Sequence, residues 1–92
     1  MITEEQQRTL IRNAILQDLE AASPISLPLT TLEQGLRVAH AISATSAQIE
    51  KHLSYLVEKG FVEVTASAVS AGDKRYKLTA SGREYLESEG LV

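Results

Sequence analysis

The chain contains no cysteine, which excludes disulfides, thiolate catalysis and cysteine-based zinc sites. Tryptophan is also absent, and Phe61 with three tyrosines supplies all of the aromatic side chains. Leucine, isoleucine, valine and alanine must therefore form the core. The only histidines, His40 and His52, are twelve positions apart with no cluster of carboxylates beside them, so the sequence predicts no metal site.

Long apolar runs and catalytic motifs are missing as well. No run approaches the roughly 20 apolar residues of a membrane span, and residues 1–5 show no signal peptide. We therefore expect a cytoplasmic protein without membrane contact. No Ser/His/Asp arrangement, carboxylate pair or phosphate-binding glycine loop is present, so we expect neither an enzyme nor a cofactor. At 92 residues, the chain predicts one globular domain over 1–92.

The net charge of −3 conceals a segregation of charge along the chain. Residues 1–36 carry two cations against five carboxylates, and residues 84–92 add three more carboxylates. Residues 37–83 carry seven cations against four carboxylates. A net positive middle segment is typical of a nucleic-acid surface, although chance clustering of solvated charges is the alternative.

Capping boxes predict where three helices begin. In each pattern a threonine precedes glutamine or glutamate by three positions: Thr3 with Gln6, Thr30 with Glu33, and Thr45 with Gln48. These patterns, with the glycine and proline stops, predict helices over about 4–22, 31–40 and 46–59, and a fourth over about 80–88. In the first helix, Leu10 and Leu16 lie to either side of the main apolar stripe. They either widen the buried face or contact a second chain.

The third predicted helix has one apolar side and ends at a glycine. Its apolar residues recur at helical spacing: Ile49, Leu53, Leu56 and Val57. After Gly60, residues 61–66 and 74–78 predict two strands joined by a loop of small and polar residues at 67–73. Residues 25–29 form an apolar connector that is a candidate third strand.

The opposite side of the third helix carries side chains suited to a major groove. Glutamine can pair with adenine, lysine with guanine or phosphate, and hydroxyls with phosphate oxygens. The predicted DNA-binding residues of this helix are Thr45, Ser46, Ala47, Gln48, Lys51, Ser54 and Tyr55. Those of the basic strand are Lys74, Arg75 and Lys77. The alternatives are a merely solvated helix face, which Glu58 favours, and a charged edge strand that resists aggregation.

Two segments resemble the winged helix-turn-helix regulators of the MarR and PadR kind. They are IEKHLSYLVEKGFV at 49–62 and YKLTASGR at 76–83. The resemblance implies an α+β, mainly α fold: a three-helix core, a β-hairpin wing and a short C-terminal helix. It also implies that the third helix reads double-stranded DNA, that 67–73 is the wing tip, and that the protein binds as a homodimer. A dimer would give Leu10 and Leu16 a function.

Two rival functions stay open at this point. Winged helices also serve as protein-docking modules within larger assemblies, and the acidic ends of the chain suit such a partner. A regulator with a small-molecule effector would need a pocket, and a domain of this size has little spare volume between its helices.

Overall fold

Within residues 3–66 and 74–92, which the computed structural model describes, the chain forms four helices and three short strands. In chain order these are α1 (Glu4–Ala22), β1 (Leu27–Pro28), α2 (Leu29–Ala39), α3 (Ser46–Glu58), β2 (Val62–Ala66), β3 (Lys74–Leu78) and α4 (Ala80–Ser88). The predicted wing tip at 67–73 lies outside the described residues.

Local capping fixes the start of three helices, at Thr3 and Thr45 as the sequence predicts and also at Thr79. The hydroxyl of Thr3 accepts from the backbone N–H of Gln6 at 3.1 Å, and the Gln6 side chain accepts from the backbone N–H of Thr3 at 3.0 Å. Thr45 and Gln48 repeat this reciprocal pair at the start of α3. Thr79 caps α4 by accepting from Gly82. Each cap satisfies backbone donors that a helix leaves unpaired at its first turn.

The predicted start of the second helix is wrong by two residues. Helix α2 begins at Leu29, so Thr30 lies inside its first turn and cannot cap it. Pro28 occupies the N-cap position without a side-chain hydrogen bond. The reason is the sheet, because β1 pairs with β3 up to Pro28 and the chain turns directly from that strand into the helix.

The candidate third strand is confirmed as β1, and its pairing means that β3 is not an edge strand. The sheet is antiparallel with the order β1-β3-β2, so β3 lies in the middle. Tyr76 pairs with Leu27 on one side and with Val64 on the other. The interpretation of the basic strand as a protective edge strand is therefore wrong, since β3 has neighbours on both sides. Tyr76 and Leu78 are buried, as their alternation in sequence predicts.

The core joins all four helices to the sheet. Its fully buried side chains are Ile15, Leu16, Leu19, Leu32, Leu36, Ile49, Leu53 and Leu86. Leu16 is only 1% exposed, so the prediction that it contacts a second chain is wrong. The apolar face of α1 is wider than the main stripe because the helix packs against α2, α3 and α4 at once. Leu10 is 49% exposed and stays available to a partner.

Two glycines fix the junction between α3, the hairpin and α4. Gly60 has a φ of +80°, a conformation that ends α3 at low cost only for glycine. Gly82 lies where a Cβ atom would collide with the carbonyl oxygen of Phe61. Thr79 closes the junction, since its hydroxyl donates to the Gly60 carbonyl at 2.6 Å and its N–H donates to the Phe61 carbonyl.

His52 is a buried polar residue between α1 and α3. The residue is 8% exposed, and Nδ1 accepts from Nε of Arg12 at 3.3 Å. Burial lowers the pKa of His52 below 6.5, and the positive charges of Arg12, Lys51 and Arg8 lower it further. The lowered pKa favours the neutral imidazole, which can accept this hydrogen bond at Nδ1.

We expect Gly82→Ala to destabilise the protein by about 1–3 kcal/mol, because the added methyl group must displace the α3–β2 turn. Alanine is otherwise the better helix former by about 1 kcal/mol. A lower free energy of unfolding would therefore identify the contact with Phe61 as the cause. Urea unfolding would measure the change. The control is Ser81→Ala at the adjacent exposed position, expected to stay within about 0.5 kcal/mol of wild type. A Gly82→Ala protein as stable as wild type would contradict the expectation.

We also expect acid to destabilise the fold through His52. Because its pKa is lower in the folded chain than the ordinary 6.5, the unfolded chain takes up the proton first as pH falls. The contribution to stability is complete above about pH 6.5 and is lost as pH falls through the folded pKa. His52→Gln keeps an acceptor for Arg12 but cannot titrate. Between pH 7.5 and 5.5, the melting temperature of this variant should fall less than that of wild type. An equal fall in both proteins would refute the role of His52 in the acid sensitivity.

Candidate nucleic-acid interface

The polar side of α3 faces solvent because the opposite side is committed to the core. Ile49, Leu53 and Leu56 are buried, and the predicted DNA-binding residues Ala47, Lys51 and Ser54 are exposed on the other side of the helix. The helix begins at an exposed turn, where its first backbone N–H groups form a site of partial positive charge. This geometry leaves the first two turns of α3 open to a bulky ligand.

Three polar residues at the start of α3 are already engaged within the chain. Thr45 is the cap itself, and Oε1 of Gln48 accepts from the Thr45 N–H at 2.9 Å. Gln48 therefore offers only its amide donors unless the capping box opens. The hydroxyl of Ser46 donates to Glu33 of α2 at 3.0 Å. Lys51 is exposed, and no carboxylate of residues 3–66 and 74–92 forms an ion pair with it.

Tyr55 lies on the flank of α3 that faces α1 and away from the centre of the polar side. The Arg12 guanidinium stacks over its ring at 3.7 Å, and the Lys59 ammonium lies 5.8 Å from the ring centre. The residue as a whole is 37% exposed. No pattern in the sequence predicted this contact, because Arg12 and Tyr55 are distant along the chain.

The cations of β3 divide between the two sides of the sheet. Lys74 borders a cleft between α3 and the hairpin, together with Ser54 and Glu58. Arg75 and Lys77 alternate with the buried Tyr76 and belong to the outer side of the sheet. Lys74 and Arg75 are exposed, and Lys77 is half-buried. The structure therefore brings Lys74 to α3, while Arg75 and Lys77 form a separate outer surface.

Arg8 and Arg12 of α1 are functional candidates that the sequence reasoning missed. Arg8 borders a small cleft with Gln48 and His52, and Arg12 reaches both His52 and Tyr55. Both arginines fall in the net negative segment 1–36, so the distribution of charge along the sequence did not indicate them. Their spacing of four residues on a helix was the available signal that they share one side of α1.

The other side chains with possible chemical roles are His40 and the carboxylates. His40 is committed to α1, with Nε2 placed 2.9 Å from Oδ1 of Asp18. Among the residues that the structure describes, no group of three histidine, aspartate or glutamate side chains could hold a metal ion. No helix in these same parts of the chain is long and apolar enough to cross a membrane.

The sequence matches no protein-family model and no curated protein sequence. Several solved structures do match. A candidate transcriptional regulator from Thermoplasma acidophilum superposes with a TM-score of 0.80 at 21% identity, over 92% of this chain and 79% of that one. A PadR-like transcription factor from Bacteroides fragilis gives 0.75 at 18% identity, over 94% of this chain and 82% of that one.

Bacillus subtilis PadR, solved in complex with operator DNA, gives a TM-score of 0.63 at 22% identity, over 85% of this chain and 47% of that one. At such identities the likeness establishes the fold alone. The chain therefore has the winged helix-turn-helix fold that its two family-like segments predicted.

Proposed function

We propose that the protein is a transcriptional regulator that binds double-stranded DNA by placing α3 in the major groove. The observation that carries the proposal is the exposed, cation-bearing side of α3 at the helix N-terminus, supported from behind by a fully buried apolar side. The likeness to PadR bound to operator DNA supports the same function. In this proposal the protein is cytoplasmic, uses no cofactor and performs no catalysis.

Charge at the interface supports the assignment although the chain is acidic as a whole. Among the described residues, the arginines that form ion pairs are Arg37, with Glu33, and Arg83, with Glu20. None of these ion pairs involves Lys51, Lys74 or the two outer cations of β3. Glu58 borders the cleft of Lys74 and Glu63 is the register partner of Lys77, but among the described residues neither forms an ion pair within 4.0 Å. The positive charge is therefore available to phosphate, the dominant source of affinity for DNA.

The proposed oligomer is a homodimer, since a palindromic site requires two copies of α3. Leu10 is the one predicted dimer residue that is exposed, and it lies on the N-terminal half of α1. Sedimentation equilibrium with Leu10→Glu as the variant would test whether α1 holds two chains together.

The rival function is docking of another protein on the same surface. An apolar docking patch on this surface would include Tyr55, but the Arg12 guanidinium stacks over one face of its ring while the residue stays 37% exposed. The test is fluorescence anisotropy with random duplex DNA from low to physiological salt. Binding that weakens steeply with salt would support the DNA function. Absence of binding at low salt would refute it and favour a protein partner.

We expect Lys51→Ala to weaken binding to a selected site more than binding to random duplex. Loss of a base contact costs about 1–3 kcal/mol, or roughly 5- to 150-fold in affinity, for the matching sequence only. A site selected from a random DNA library would provide the specific probe. Arg83→Ala is the control, because it removes the same charge from α4, where the side chain is paired with Glu20. An equal loss of affinity for both DNAs would show that Lys51 contacts only phosphate.

Arg75→Ala and Lys77→Ala are expected to weaken binding to both DNAs alike. Each variant should also lower the slope of log affinity against log salt by about 1, as loss of one phosphate contact does. Anisotropy titrations at four salt concentrations would measure the slope. An unchanged slope would exclude the outer side of the sheet from the interface.

A further inference from the structure

The side of α1 that faces α3 carries two arginines beside the proposed groove-reading helix. Arg8 and Arg12 are one helical turn apart, about 6 Å along α1. Arg8 borders the cleft that contains Gln48, near the start of α3. Arg12 borders the next cleft, of about 250 Å³, together with Tyr55 and Lys59. The two arginines thus follow the flank of α3 from its first turn towards its last.

Arg12 is held in place by two contacts that leave most of its donors free. Its Nε–H donates to Nδ1 of His52 at 3.3 Å, and its plane stacks on Tyr55. No hydrogen bond from its terminal Nη groups is formed within residues 3–66 and 74–92. A guanidinium fixed by stacking loses less side-chain entropy when it binds, and its planar donors match the oxygens of a phosphate.

Cations of both α1 and α3 lie around His52. The charges of Arg12, Lys51 and Arg8 all act on the imidazole of His52, which shows that α1 and α3 contribute cations to one region. Glu4 is the carboxylate that borders the same cleft as Arg8. No ion pair within 4.0 Å joins these two side chains in the part of the chain that the structure describes.

The geometry of a helix in the major groove indicates the ligand. The groove is about 12 Å wide and a helix with its side chains is about 10–12 Å across, so a sugar-phosphate backbone runs along each flank of the helix. Lys74 of the hairpin lies on one flank of α3. Arg8 and Arg12 lie on the other, next to Tyr55.

We infer that Arg8 and Arg12 form a second phosphate-binding surface, which grips the DNA backbone on the side of α3 opposite the hairpin. This inference rests on the proposed function and adds a contact surface to it. Arg12 is the fixed member of the pair, and Arg8 is the exposed member nearest the start of α3. His52 positions Arg12 and does not itself reach the ligand.

The test is anisotropy with random duplex and with the selected site, for Arg8→Ala and Arg12→Ala. Each variant should weaken binding to both DNAs about tenfold at low salt. Each should also lower the slope of log affinity against log salt by about 1. Arg8→Lys should keep the wild-type slope, because it keeps the charge. Arg83→Ala should bind like wild type, and circular dichroism would confirm that the variants fold. Arg8 is exposed, so its variants test the inference even if Arg12→Ala unfolds.

The outcomes separate this inference from the proposed function. If wild type binds DNA and Arg75→Ala lowers the slope while Arg8→Ala does not, the α1 surface is refuted and DNA binding stands. If wild type does not bind DNA at low salt, the proposed function itself is refuted. If Arg8→Ala weakens binding to the selected site but not to random duplex, Arg8 contacts a base and the phosphate-binding surface is refuted.

Discussion

The structure depends on the burial of one side of α1. Ile15 and Leu19 have no exposed surface, and the helix packs against α2, α3, α4 and β3. Each fully buried aliphatic side chain stabilises the folded state by about 1.5–3 kcal/mol before chain entropy is counted. Because α3 places Ile49 and Leu53 against this same core, its polar side has no position except towards solvent. The exposed face proposed to bind DNA is thus a consequence of packing on α1.

A second constraint holds the hairpin in place relative to α3. The Thr79 hydroxyl donates to the Gly60 carbonyl and also accepts from the N–H of Gly82. The close approach of Gly82 to Phe61 joins the end of α3, the base of the hairpin and the start of α4 in one junction. A helix and a wing can contact one duplex together only if their separation is fixed. The short turn after α3 provides that rigidity with backbone and side-chain hydrogen bonds.

Local patterns predicted those features of the fold that depend on neighbours in sequence. The caps at Thr3, Thr45 and Thr79 involve residues three positions away, so the sequence alone specifies where α1, α3 and α4 begin. Apolar spacing likewise predicted which sides of α3 and β3 are buried. The pattern at Thr30 failed because a longer-range interaction competes with it: pairing of β1 with β3 ends at Pro28 and starts α2 earlier.

The sequence by itself determined the order of the elements, the polar side of α3 and the basic character of β3. Only the tertiary structure decided that Leu16 is core, that Tyr55 lies beneath Arg12, and that the hairpin cations occupy two surfaces. The physical reason is distance along the chain. Periodicity states which residues share a side of one helix, but the angle at which α1 crosses α3 decides which side chains meet, and that angle results from packing of the whole core.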